Sequence, residues 1–165
     1  MLNVSSKRGG HEPVALLRDP AHLLALGFGT GCVPIAPGTF GTLAGVLIYL
    51  PFRNLSLTYY ALLTLALFAL GIWLCRRTAA ALGVHDHPAI VWDEVVGYLI
   101  TMTMAPPGWI YVVLGFVLFR FFDILKPWPV SWLDRHVHGG LGIMLDDAGA
   151  AVMALACLHT IPYLL

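Results

Sequence analysis

Charge is in short supply in this 165-residue chain. Nine Lys and Arg and nine Asp and Glu make up 11% of it, against 59% hydrophobic residues and a mean hydropathy of +0.82. So thin a supply excludes an ordinary water-soluble domain, in which roughly a quarter of residues are charged. With a formal net charge of zero nothing points to a polyanion-binding tail, no nucleic-acid partner is expected, and any affinity for phosphate must be local. Cysteine is scarcer still: Cys32, Cys75 and Cys157 stand far apart in apolar surroundings, as packing residues do rather than a disulfide framework or a zinc site. The first twenty residues, MLNVSSKRGGHEPVALLRDP, hold no apolar core of the length a cleavable signal peptide needs, so the first hydrophobic segment is expected to stay as an anchor.

What remains is mostly apolar. The expected fold is all-α, a polytopic membrane helical bundle with about four to five membrane-embedded helices. It forms a single domain over residues 21–165 behind a flexible or interfacial lead at 1–20. Residues 22–51 hold no Asp, Glu, Lys or Arg, yet GFGTGCVPIAPGTFGTLAG places six glycines and two prolines among them. A straight spanning helix does not tolerate that content. It predicts a broken N-terminal helix with a Gly/Pro loop at the membrane surface, then a helix over about 39–50 capped by Thr39. Residues 55–75 are the cleanest span, of the ~20 residues a bilayer requires, closed by Arg76-Arg77. A polar break at 78–88 precedes a shorter helix over 90–104 with Asp93-Glu94 in its first turn, ended by Ala105-Pro106-Pro107. Spans follow at 109–125 and 143–164, the last with Asp146-Asp147 in its first turn. Between them KPWPVSWLDRHVHGG reads as an interfacial loop.

With the N-terminus inside, Lys7, Arg8, Arg18, Arg76, Arg77, Lys126 and Arg135 fall on the cytoplasmic side and only Arg53 between spans on the other. The positive-inside bias then brings the Gly/Pro loop, His85-Asp86-His87, both acid pairs and residues 123–138 to one cytoplasmic face.

Six of the nine acids, Asp93, Glu94, Asp123, Asp134, Asp146 and Asp147, lie in or against the apolar segments. A carboxylate there costs several kcal/mol unless paired, hydrated or bound to a cation, and adjacent acids repel unless a cation or a proton intervenes. A divalent-metal site at the membrane surface accounts for the pattern: in Asp93-Glu94 and in Asp146-Asp147 one acid could bind the metal while the other orients a neighbour, and Asp123 is a metal ligand or a support for Lys126. The other reading of each pair is a charged first turn favoured by the helix dipole. Asp123 also fits an interfacial ion-pair network with Arg120 and Lys126, and Asp134 a local pair with Arg135. Oxygen donors favour Mg²⁺; the two H-x-H pairs, His85/His87 and His136/His138, are the only pattern for zinc. His138, ahead of Gly139-Gly140, is the candidate general acid, or else a structural interfacial histidine.

Gly29 and Thr30 in GFGTG, and Gly38 and Thr39 in APGTFGT, offer backbone N–H groups to a phosphate, although glycine also serves close helix packing. Lys126, Arg120 and Arg135 could clamp phosphate oxygens or snorkel to headgroups. Together these elements point to metal-assisted phosphoryl chemistry on a lipid headgroup. The chain carries no Cys-x5-Arg loop, no D-x-D-x-T, no P-loop lysine and no D-x2-D-G-x2-A-R, which leaves a metal-activated water attacking phosphorus as the simple route. The rival is a cation-coupled membrane transporter or channel using the same carboxylates.

GFGTGCVPIAPGTFGTLAG, VWDEVVG with its preceding HDHPAI, and FRFFDILKPWPVSWLDRHVHGGLGIMLDDAGAAV resemble, in this order, the phosphatidylglycerophosphatase A family. The resemblance implies a Mg²⁺-dependent phosphatase of the bacterial inner membrane, its site facing the cytoplasm, that converts phosphatidylglycerophosphate to phosphatidylglycerol. It implies Asp93, Glu94, Asp123, Asp146 and Asp147 as the acidic, metal-holding and catalytic site, with Lys126, Arg135 and His138 near the phosphate. HDHP stands where family members often carry a differently composed turn.

Overall fold

A computed structural model describes residues 11–163; the first half of the lead expected at 1–20 lies outside them. Every regular element among the described residues is helical. Two short helices, α1 (Pro13–Leu16) and α2 (Pro20–Ala25), lead into a 3₁₀ segment over Gly27–Cys32. The Asp19 side chain accepts a hydrogen bond from Ala21 N at 2.8 Å and Pro20 opens α2, a cap and a preset φ acting together. Phe28 and Gly29 then take φ of 59° and 93°, which breaks the N-terminal helix where its glycines cluster.

Helix α3 (Pro37–Phe52) starts two residues earlier than expected. Pro37 opens it after Ala36, which is left-handed, so Thr39 is a first-turn residue and not the cap. Helix α4 (Leu57–Leu82) runs on past Arg76-Arg77, which are exposed on its surface, and stops at Gly83 with φ 70°, a conformation that costs glycine little. Helix α5 (Trp92–Thr101) begins with the acid pair, and α6 (Trp109–Leu125) has the bounds the sequence predicts. The expected loop at 126–140 contains a short helix, α7 (Val130–His136). Helix α8 (Gly139–Thr160) starts four residues before position 143. Asp146 and Asp147 therefore stand two turns inside it, about 10 Å from its start, not in the first turn.

Helix α8 is the axis of the bundle, packed against α4, α5, α6 and α7, while α3 covers α5. Val95, Val96, Tyr98 and Leu99 of α5 are fully buried, as befits a helix enclosed on all sides. Glycine sets the closest crossing. A Cβ on Gly140 would lie 2.0 Å from the Ile72 carbonyl oxygen, so α8 rests directly on the α4 backbone. Gly140→Ala is expected to gain about 1 kcal/mol of helix propensity but lose about 3 kcal/mol to overpacking. A thermal melt in detergent should show a net loss, and an unchanged melt would mean that the helices do not touch there.

The exterior is apolar. Leu62 and Leu65 of α4 are 58% and 64% exposed, and Ile110, Val113 and Val117 of α6 are exposed too. Two helical runs, Leu57–Leu82 and Gly139–Tyr163, are long and apolar enough to cross a membrane. Twenty-six residues of α4 reach about 39 Å at 1.5 Å per residue, beyond the ~30 Å of a hydrocarbon core. Side chains like these are stable against lipid and costly in water, and the protein is accordingly membrane-associated.

Candidate active site

The starts of α3 and α5, the end of α6 and the third turn of α8 meet at one end of the bundle. With the turn at 86–90 they enclose a cavity of about 310 Å³. Six carboxylates line it, Asp86, Asp93, Glu94, Asp123, Asp146 and Asp147, against two cations, Arg120 and Lys126. The α5 dipole favours negative charge at its first turn, but no dipole offsets an excess of this size. Three of the acids are nearly inaccessible: Asp93, Asp146 and Asp147 are 7%, 5% and 3% exposed.

Carboxylate oxygens of Asp93, Glu94 and Asp147 lie within 4.8 Å of one another. Asp93 Oδ1, Glu94 Oε2, Asp146 Oδ1 and Asp147 Oδ2 are buried and receive no hydrogen bond from the protein. Buried oxygens of like charge converging without donors are unstable by themselves. The clustered carboxylates of Asp93, Glu94 and Asp147 match what a hard divalent cation requires, an all-oxygen ligand set gathered at one point.

The other two acids of the expected metal set are held by the cations. Arg120 hydrogen-bonds Asp123 one turn later on α6, and its Nη1 lies 3.7 Å from Glu94 Oε1. Its Nε is buried without a partner. Lys126 ends α6 in a left-handed conformation, φ 42°, which turns its ammonium between Asp146 and Asp134, the latter at 2.8 Å. The hydrogen bond from Lys126 holds the Asp134 carboxyl below the usual carboxylate range. Gly38 closes the other wall: a Cβ there would lie 2.3 Å from Glu94 Oε1 and 2.9 Å from Arg120 Nη1.

Of the residues singled out from sequence, Asp93, Glu94, Asp123, Asp146, Asp147, Lys126 and Gly38 share this cavity. Others lie outside its lining. Gly29 and Thr30 belong to the 3₁₀ segment, where Thr30 Oγ1 donates to Gly27 O at 2.8 Å. Thr39 is beyond Gly38 on α3. Arg135, on α7, and His138, at the start of α8, are both exposed. The His138 ring packs edge-on against His85 at 5.4 Å, and His85 Nε2 accepts a hydrogen bond from Gly139 N. His136 bonds instead to Trp132 O, so the two H-x-H pairs do not converge as zinc ligands. From sequence Asp86 is expected at the same face but not as a site residue, and Arg120 as a phosphate clamp or an ion-pair partner of Asp123. Their signals were Asp86's place in the HDHP turn just before W-D-E, and Arg120's position three residues before Asp123 on one helix face.

The family model described as Phosphatidylglycerophosphatase A matches residues 23–162. Phosphatidylglycerophosphatase A of Escherichia coli (strain K12) is 46% identical over 156 residues, 92% of this chain and 91% of that protein. Its namesake in Haemophilus influenzae (strain ATCC 51907 / DSM 11121 / KW20 / Rd) is 44% identical over 149 residues, 89% and 91% of the two chains. A Bacteroides thetaiotaomicron protein named "Putative phosphatidylinositol-3-phosphatase" is 40% identical over 140 residues, 79% and 86%. No solved structure matches. With its acid cavity built from segments inside the matched region, and with likeness running over nearly the whole of both namesakes, the chain belongs to the phosphatidylglycerophosphatase A family.

Proposed function

We propose that the protein hydrolyses the phosphomonoester of phosphatidylglycerophosphate, giving phosphatidylglycerol and phosphate, with Mg²⁺ as cofactor. The observation that carries this reading is the set of donor-less buried oxygens on Asp93, Glu94 and Asp147 opposite the guanidinium of Arg120. Those three carboxylates would hold the ion, which when bound supplies positive charge to the phosphate oxygens and lowers the pKa of water. Asp123 and Asp146 act from the walls, each fixed by its cation. Arg120 has an unpaired Nε–H to offer a phosphate oxygen, and a planar guanidinium suits that geometry better than an ammonium. Lys126 offsets the charge of Asp146 and Asp134 and keeps α6 and α7 in register around the cavity. Gly38 leaves the headgroup room beside Glu94. Gly29, Thr30, Thr39, Arg135 and His138 take no part in this mechanism, since none lines the cavity.

Residues 21–165 act as one unit, with α3, α5 and α6 embedded beside the two long helices. The lopsided distribution of Lys and Arg supports an acid cavity facing the cytoplasm from a bacterial inner membrane. Clustering of the acids at one end speaks against the transporter reading, because among the described residues no carboxylate lines the cavities at the other end.

The test is phosphate release by the purified full-length protein in detergent. Phosphatidylglycerophosphate should be hydrolysed with Mg²⁺ and left intact with EDTA. Turnover that persists without divalent metal removes the cation from the site. Faster release from phosphatidylinositol 3-phosphate would reassign the substrate while keeping the chemistry.

A further inference from the structure

The far end of the bundle holds a second, differently built recess. Fifteen residues of α3 separate Gly38 from Arg53, about 22 Å along the helix. Two cavities adjoin there, of about 280 and 320 Å³, and they share Tyr49, Arg53 and Ala105. The first is polar, with Arg53, Asn54 and the turn from Ala105 to Trp109 around it. The second is a slot between Leu55, Leu57, Met102 and Met104.

The polar groups are unspent. Tyr49 stacks edge-on with Tyr60 and Tyr98 at 6.4 and 6.0 Å. Tyr60 donates its hydroxyl to Leu99 O at 2.7 Å and Tyr98 donates to Val112 O at 3.0 Å. The Tyr49 hydroxyl makes no hydrogen bond among the described residues, yet Tyr49 lines both cavities. Arg53 lies over the Trp109 ring, 5.9 Å from its centre, and has no ion pair among the described residues. Neither cavity is lined by a carboxylate.

A cation without a counter-charge, a free hydroxyl and an amide, opening onto an apolar slot, are complementary to an amphiphile whose head is an anion. We infer that this recess binds an anionic phospholipid of the leaflet opposite the acid cavity, its phosphodiester against Arg53, Tyr49 and Asn54 and its chains along Leu57 and Met104. A zwitterionic headgroup fits less well, since no carboxylate is there to receive its ammonium. The indole of Trp109 suits the same headgroup depth. This inference is independent of what the acid cavity does.

Native mass spectrometry of the full-length protein in detergent tests it, with phosphatidylglycerol, phosphatidylcholine or inorganic phosphate added. The parent chain should retain phosphatidylglycerol about tenfold over phosphatidylcholine. Arg53→Gln should bring the two near parity, and Tyr49→Phe, which changes no charge, should cut retention about threefold. Asp147→Asn, at the other end, should keep the full preference. The inference fails if Arg53→Gln and Tyr49→Phe both retain the parent's selectivity. It fails equally if Asp147→Asn abolishes binding, which would locate the lipid in the acid cavity. Inorganic phosphate that displaces the lipid would overturn the lipid assignment in favour of a free anion.

Discussion

Asp147→Asn and Asp93→Asn should each slow phosphate release on the order of a thousandfold while the protein still inserts and folds. The loss exceeds the 10–100-fold typical of groups that only orient a ligand, because each substitution removes an oxygen from the three-carboxylate cluster itself. Stability should move the other way. Six carboxylates face two cations in this cavity, and asparagine removes one charge from that excess with almost no change of shape, so like-charge repulsion falls. In EDTA the variants are expected to melt at or above the parent temperature. Mg²⁺ should then raise the parent's melting temperature more than theirs, since an ion at 100 times its Kd contributes about 2.7 kcal/mol to the state that binds it. Turnover and melting measured side by side separate a site residue from a structural one. Full turnover in either variant, or equal stabilisation by Mg²⁺ in all three proteins, would take these carboxylates out of the chemistry.

Gly38→Ala should fold normally and lose about a hundredfold in turnover. Position 38 has ordinary helical backbone near the start of α3, so alanine costs nothing there in backbone conformation and helix propensity favours it by about 1 kcal/mol. The loss arises from space. The new Cβ would lie 2.3 Å from Glu94 Oε1 and 2.9 and 3.0 Å from the two terminal nitrogens of Arg120, distances that side-chain atoms cannot share. Glu94 and Arg120 must swing aside, and a displacement of about 1 Å in a catalytic group is enough for a hundredfold. Phosphate release with circular dichroism on the same sample checks it. Parent-like turnover would show that the position of Glu94 has no bearing on the reaction.

Much of this was legible in the chain, and what was not has definite causes. Helix α6 could be bounded from sequence alone because Pro106, Pro107 and Gly108 stop any helix before Trp109 and Pro127 and Pro129 follow soon after Leu125. The acids could be grouped because charge is so costly in apolar segments that it marks function wherever it occurs. Helix starts were harder. Gly139, Gly140 and Gly142 read as a break before α8, but Gly140 and Gly142 are the small residues that let its first turns lie against Ile72 and Val137. Arg76-Arg77 read as the end of α4, whereas long cationic side chains can point outward from a helix that continues. Arg135 and His138 were expected near the phosphate, but α7, hidden in a proline-containing stretch, holds Arg135 outside the cavity lining, and His138, at the N-cap of α8, lies outside it as well. The approach of Arg120 to Glu94 joins residues on two helices and depends on packing that no local pattern records.

The depth of Asp146 and Asp147 within α8 has a kinetic corollary. A phosphate that reaches carboxylates some 10 Å down a helix, in a protein whose flanks are apolar, belongs to a molecule still seated among its fellow amphiphiles. Encounter is then a two-dimensional event: diffusion in the plane of the bilayer brings the reactants together, and surface density, as a mole fraction of host lipid, takes the place of bulk molarity in the rate law.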